Sequence, residues 1–255
     1  MASSDPHDGA APMPAGRVTL TVDGAVAVIT NANPRKLNAF DDAMDDQFFG
    51  ILGQLLDTRD VRVVIWRAEG PSFSSGRDTA AMVRLGDATA YDAYLRRRQR
   101  KLRQLLDLSV PIVTAMQGWV IGVAFQRALL TDVRIAADDA KFRLPEVGHG
   151  VIADAGGVAR LHQTCGSAVT ADMVLTGRTM TASEALQHGV ISRMVPSADL
   201  DEVALGIAGE IAAADPAATR GARSVLSELD RPALLATMER ELNVQQFLRA
   251  SRPQT

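Results

Sequence analysis

Chemistry in this chain would have to come from two carboxylates and two glycine loops. Glu146 and Asp154 lie in the segment Glu146-Val147-Gly148-His149-Gly150-Val151-Ile152-Ala153-Asp154, followed by Ala155-Gly156-Gly157. Two carboxyls facing a partly apolar pocket lose solvation and repel each other. At least one pKa then rises, which suits one group to donate a proton and the other to accept it. Read locally, the same residues are a surface loop acid and a turn former or helix cap. His149 is a rival acid or base, but the sequence identifies no partner for it, and it reads as a loop or packing histidine. His162 and His188 sit in helical patterns without ligand spacing, so no metal site is expected. The glycine loops are Phe73-Ser74-Ser75-Gly76-Arg77-Asp78 and Gln117-Gly118-Trp119-Val120-Ile121-Gly122-Val123-Ala124-Phe125-Gln126, each after a β-type run. The second passes straight into a helix, whose start carries unpaired N–H groups and a positive dipole end. Brought together, the loops could offer two convergent donors to an oxyanion. Taken singly, glycines after strands are ordinary turn residues.

The elements that must position these residues follow from periodicity. Runs 18–22 and 26–30 are β-type and flank Asp23-Gly24, a hairpin signal because such turns favour positive φ. After Asn38 the period changes: Phe40, Met44, Phe48, Ile51, Leu52 and Leu55 are spaced for a helix capped by Asp41 or Asp42. β runs at 61–68, 112–116 and 133–136 alternate with a helix over 91–107 and a buried helix over 121–131. This alternation, continued to about residue 160, predicts a layered α/β core. Arg96, Arg97, Arg100, Lys101 and Arg103 crowd one side of the helix over 91–107, as a solvated face or a phosphate contact. Beyond residue 168 strands nearly vanish, apart from a last run at 190–195. Thr181 and Glu184 form a capping box, and further helices are expected over 199–214, 216–229 and 232–248. The division reads as a leader over 1–16, rich in Ala, Pro, Gly and Ser, a core over 17–195 and a helical region over 196–255.

Composition narrows the class. With 255 residues, 47% of them hydrophobic, the chain can form one large domain or a core with an appended piece. A net charge of -3 argues against a nucleic-acid partner. The single cysteine, Cys165, excludes an internal disulfide and fits a reducing compartment. No apolar stretch approaches the roughly 20 residues that span a bilayer, so no membrane partner and a cytoplasmic location are expected.

An ordered set of segments is more specific than any of these features. It comprises Asn33-Pro34-Arg35-Lys36-Leu37-Asn38-Ala39, the first glycine loop, Pro111-Ile112-Val113-Thr114-Ala115-Met116-Gln117-Gly118 and Thr131-Asp132-Val133-Arg134-Ile135-Ala136-Ala137. Ala140-Lys141-Phe142 through Pro145-Glu146, Gly156-Gly157 with Arg160-Leu161, and Leu175-Thr176-Gly177 with Ala185, Gly189-Val190 and Val195 complete it. In this order and spacing the chain resembles the crotonase (enoyl-CoA hydratase/isomerase) family over about residues 17–250. The resemblance implies an α/β fold, a spiral of ββα units with a helical C-terminal trimerisation region, assembled as a homotrimer or dimer of trimers. It implies an acyl-CoA substrate and no separate cofactor, coenzyme A being part of the substrate. By motif position, the thioester carbonyl would accept the backbone N–H groups of Arg77 and Val123, while Arg35, Lys36 and Ser75 would meet the CoA. Fixed donors of this kind stabilise an enolate-like intermediate more than the ground state.

The resemblance also assigns the acids. Hydratases of the family use two glutamates; here the first position is Gln126, a pocket residue whose amide cannot exchange a proton near neutral pH, and the second is Glu146. The spacing of Glu146 and Asp154 is similar to that of dienoyl-CoA isomerases, where the matching pair shuttles protons between distant carbons. The implied activity is double-bond isomerisation of an enoyl- or dienoyl-CoA. Hydration of a 2-enoyl-CoA or a related pathway-specific reaction is the alternative. A non-catalytic acyl-CoA-binding partner is a third reading, raised by Gln126 and by Val123 in place of a glycine. Arg77 is long enough to reach CoA phosphates or to cover the pocket. The family's final segment, rich in Glu-Gly and Lys-Arg, has no counterpart after Phe247, so unusual substrate affinity or assembly is expected.

Overall fold

Alternation of apolar and polar residues starts the sheet, and glycines let its strands leave it. The computed structural model describes residues 16–82 and 88–251; residues 1–15 of the expected leader lie outside that range. In chain order the elements are β1 (Arg17–Asp23), β2 (Val26–Ala32), α1 (Asp42–Leu56), β3 (Val63–Ala68), α2 (Thr79–Met82) and α3 (Ala88–Asp107). Then come β4 (Ile112–Met116), β5 (Trp119–Ile121), α4 (Gly122–Leu129), β6 (Val133–Ala137), β7 (Lys141–Arg143) and α5 (Gly157–Thr176), the last interrupted at Gly166. β8 (Thr179–Thr181), α6 (Ala182–Gln187), β9 (Arg193–Val195), α7 (Leu200–Ala213) and α8 (Pro216–Ala250) complete the chain.

The large sheet has the order β1-β2-β3-β4-β6-β9, antiparallel at β1–β2 and parallel beyond. A small sheet, β5-β7-β8, takes the strands that follow β4 and β6 and the one that precedes β9. Successive side chains of β3 point to opposite faces. Val63 and Ile65 pack with Leu200, Ala204, Ile207 and Ala208 of α7, while Val64 and Trp66 join the main core with Phe48 of α1. Asp41 is the residue that caps α1, accepting the Met44 N–H at 2.9 Å, and Thr181 with Glu184 forms the expected capping box on α6. Among the described residues no helix is long and apolar enough to cross a membrane.

Four sequence expectations change. The hairpin turn is Gly24-Ala25, one residue late, because Asp23 pairs with Val26. The helix expected from residue 121 starts at Gly122, since Trp119–Ile121 is drawn into the small sheet. A strand at Thr179–Thr181 appears where none was expected; three residues are too few to show a period. The helices expected on either side of Pro232 are one helix of 35 residues. Pro232 lacks the N–H that would bond the preceding turn, but buried Leu234 and Met238 hold the helix to the core beyond it.

Candidate active site

One backbone bridge brings the glycine loops side by side, and a second ties the first loop to Phe40. Ser74 N–H donates to the Trp119 carbonyl and Ile121 N–H donates to the Ser74 carbonyl, both at 2.9 Å. Phe40 N–H donates to the Gly76 carbonyl at 2.7 Å and Asp78 N–H to the Phe40 carbonyl at 2.8 Å. In a parallel bridge of this kind the middle residue turns its own N–H to the opposite side, so Arg77 N–H faces away from Phe40. Val123 lies in the first turn of α4, where N–H groups have no carbonyl a turn behind them. Gly76 is required at the crossing: it has φ +90°, and a Cβ would sit 2.9 Å from the Ile121 carbonyl oxygen.

Both loops open on a cavity of about 300 Å³, whose lining includes Ser75, Gly76, Val123, Gln126, Glu146 and Asp154. Pro145 and Glu146 follow the small-sheet strand β7, and a short 3-10 turn over Glu146–His149 presents the Glu146 carboxyl to the second loop. A Cβ on Gly122 would lie 3.3 Å from Glu146 Oε1. That oxygen accepts Gln126 Nε2 at 2.8 Å, and Gln126 Oε1 accepts the Ala155 N–H at 2.8 Å. Gln126 is thus a fixed strut between Glu146 and the segment carrying Asp154. Glu146 Oε2 is closed off from solvent and has no protein hydrogen-bond partner among the described residues. Burial pushes the Glu146 carboxyl up to about 7, against the pull of its own backbone N–H and of the Gln126 amide.

Asp154 reaches the same cavity and is ion-paired with Arg98, a residue of α3 that the sequence did not single out. The spacing of Tyr91, Tyr94 and Arg98 puts all three on one face of α3, and all three line the cavity. That spacing was the signal that could have found them. Glu241 and Gln245 of α8 had no local signal. Glu241 Oε2 accepts the Gly156 N–H at 2.9 Å and Gln245 Oε1 accepts the Ile152 N–H at 3.1 Å, so one helix face grips the 151–156 segment. Burial pushes the Glu241 carboxyl up to about 8, opposed by that Gly156 N–H. His149 lines the cavity as well.

Arg77 lines the cavity, and its side chain ion-pairs with Asp42 and, at 3.2 Å, with Asp45. Asp45 also meets the guanidinium of Arg127, fully buried, at 2.8 Å, in an ion contact rather than an aligned hydrogen bond. Burial drives the Asp45 carboxyl up, but Arg127 and Arg77 outweigh it and hold it below the usual range. Arg127 lies 4.8 to 5.6 Å from the ring centroids of Phe40, Phe48 and Phe49, whose faces favour a cation. Arg35 and Lys36 are exposed on a 3-10 turn outside the cavity. Lys36 pairs with Asp78 at 2.9 Å, and its carbonyl accepts Ser75 Oγ at 3.2 Å, which joins this turn to the first loop.

The geometry agrees with comparisons to known proteins. The profile of the enoyl-CoA hydratase/isomerase family matches residues 21–252. A probable enoyl-CoA hydratase (echA8) of Mycobacterium tuberculosis is 34% identical over 205 residues, covering 80% of this chain and 79% of the relative. A carnitinyl-CoA dehydratase of Salmonella arizonae is 36% identical over 211 residues, covering 81% and 78%. Among solved structures, a probable enoyl-CoA hydratase from Mycobacterium thermoresistibile superposes with TM-score 0.82 at 29% identity, covering 91% of this chain and 96% of that one. An enoyl-CoA hydratase/isomerase from Mycobacterium paratuberculosis, at 22% identity, shares the fold with TM-score 0.87 over 92% and 94% of the two chains. With its two sheets wound together and a long helix closing the site, this chain belongs to the enoyl-CoA hydratase/isomerase (crotonase) family and is an acyl-CoA enzyme.

Proposed function

We propose that this enzyme isomerises the double bond of an enoyl- or dienoyl-CoA, with Glu146 as the group that takes and returns the proton. One observation carries the reading: the cavity holds a single carboxyl poised near neutrality, Glu146, beside an amide where a second glutamate would be needed for two-acid hydration. The Arg77 and Val123 N–H groups would receive the thioester oxygen. The Glu146 carboxylate removes a proton from the carbon next to the thioester, the electron pair moves onto the carbonyl oxygen, and the dienolate is reprotonated two carbons further on. Coenzyme A arrives as part of the substrate, with Ser75 and the Arg35-Lys36 turn as its proposed contacts, and no separate cofactor takes part. Asp154 is the second carboxyl of the site and the partner for a longer shift across a dienoyl group, for which it must leave Arg98. Assembly as a trimer or dimer of trimers belongs to the same reading, supported by the exposed Val225, Leu226, Leu229 and Phe247 of α8. A cytoplasmic location does too, in keeping with the lone Cys165.

Hydration or dehydration is the second reading, favoured by the names of the hydratase and dehydratase relatives. Incubation with enoyl- and dienoyl-CoA esters in deuterated water separates the two. Isomerisation gives deuterium in the product without the mass of water; hydration adds that mass; binding without exchange indicates a non-catalytic acyl-CoA partner. Glu146→Gln should lower turnover by about a hundredfold or more. Full turnover in that variant would remove Glu146 from the chemistry.

A further inference from the structure

The two N–H groups proposed for the thioester oxygen lie on separate pieces of chain, and one carboxylate reaches both pieces. Ser74 bonds Trp119 and Ile121 across the glycine loops, but Arg77 and Val123 lie beyond that bridge on either side. The Arg77 side chain meets Asp45 Oδ2 at 3.2 Å. Arg127 follows Val123 by one turn of α4 and so projects from the same side of that helix. Its guanidinium meets the other oxygen, Asp45 Oδ1, at 2.8 Å. Asp45 stands in the first turn of α1, outside the lining of the cavity. The chain just before α1 is itself bonded to the first loop, through Phe40 with Gly76 and Asp78. The start of α1 is therefore tied to both donor-bearing segments.

Packing alone does not call for this arrangement. Arg127 is fully buried among the rings of Phe40, Phe48 and Phe49, and its nitrogens have no aligned hydrogen bond among the described residues. An apolar side chain would fill that space without the cost of burying a charge, and exchanges of this kind commonly leave stability unchanged or raise it. What the ion contacts add is a fixed relation between the first loop and α4. A backbone donor stabilises an oxyanion only within about 2.7–3.1 Å of it, so small changes in that relation matter to the chemistry. From this geometry, and resting on the acyl-CoA reading above, we infer that Asp45 is a positioning residue. Through Arg77 and Arg127 it sets the spacing of the two N–H groups that polarise the thioester carbonyl.

Infrared spectra of butyryl-CoA, isotopically labelled at the thioester carbonyl, read the donors apart from turnover, because this ester has no double bond to move. A carbonyl that accepts two well-placed hydrogen bonds is polarised and absorbs at lower frequency. Bound to the full chain, the labelled band should fall below its position in water. In Asp45→Asn, which keeps the shape and removes the charge, most of that displacement should be lost. That variant leaves Arg127 buried without a counter-charge, so Asp45→Asn combined with Arg127→Met carries the test where the single variant does not fold. The double variant removes both charges and keeps a flexible apolar chain among the three rings. Its Tm should stay close to that of the unaltered chain, while its band returns toward the position in water. A double variant that keeps the full displacement overturns the inference: Asp45 then only neutralises Arg127, and the proposed donors stand. No displacement in the unaltered chain removes the donor assignment of Arg77 and Val123, and the inference with it.

Discussion

Gln126 and Glu146 show how a single side chain changes the use of a site. In this chain an amide holds one glutamate oxygen and leaves the other buried without a protein partner among the described residues. A base must be ionised to accept a proton, so kcat/KM for isomerisation should rise with pH to a plateau, with its acidic limb near pH 7. The Gln126 amide favours the charged form of Glu146. Gln126→Leu should therefore move that limb to higher pH, as well as orphaning the Ala155 N–H. A limb that stays in place in the variant would mean Gln126 does not tune the base. Glu146, Asp154, Gln126 and the two loops were legible in the sequence because each sits in a motif of fixed order. Arg98, Glu241 and Gln245 were not, because their roles arise from α3 and α8 meeting a segment far from them in the chain.

At the scale of elements, local patterning located most strands of the large sheet and misjudged two kinds of feature. β5, β7 and β8 are three residues each, and they exist because the spiral offers a neighbouring strand, a fact absent from any local window. α8 fails the opposite way: a proline that ordinarily breaks a helix is overruled by the buried face that follows it. This makes Pro232 a defect with a measurable cost. It is exposed, so replacing it sacrifices no core packing. Pro232→Ala restores a helical N–H and removes the ring clash, while loosening the unfolded chain by about 0.4–1 kcal/mol. The helix gain, at most about 3 kcal/mol, exceeds that loss, so denaturant unfolding should show a net stabilisation of roughly 1–2 kcal/mol. An unchanged or lower midpoint would show that α8 already accommodates the ring without strain.

For the whole molecule, the buried acids tie stability to pH in two separate windows. Asp45 is held below its ordinary value, so the stability it contributes is present above that value and is lost as pH falls into the acid range. Glu146 and Glu241 have the opposite sign: their folded values, about 7 and about 8, stand above the ordinary 4.5. The folded chain then binds protons more tightly than the unfolded one. The corresponding stability is complete below about pH 4.5 and disappears as pH rises through 7 and 8. At most, Glu146 contributes about 3 kcal/mol and Glu241 about 5 kcal/mol, and both feel the charge of Asp154 and Arg98, so the two do not add independently. Thermal unfolding should accordingly show its highest Tm in mildly acidic buffer and a fall of several degrees toward pH 8. The double variant Glu146→Gln with Glu241→Gln keeps acceptors for Gln126 and Gly156 but removes both titrations, and its Tm should be nearly flat over that interval. A slope that persists in the double variant would assign the pH dependence to other groups, and would mean that the cavity is wetter than its buried carboxyls imply.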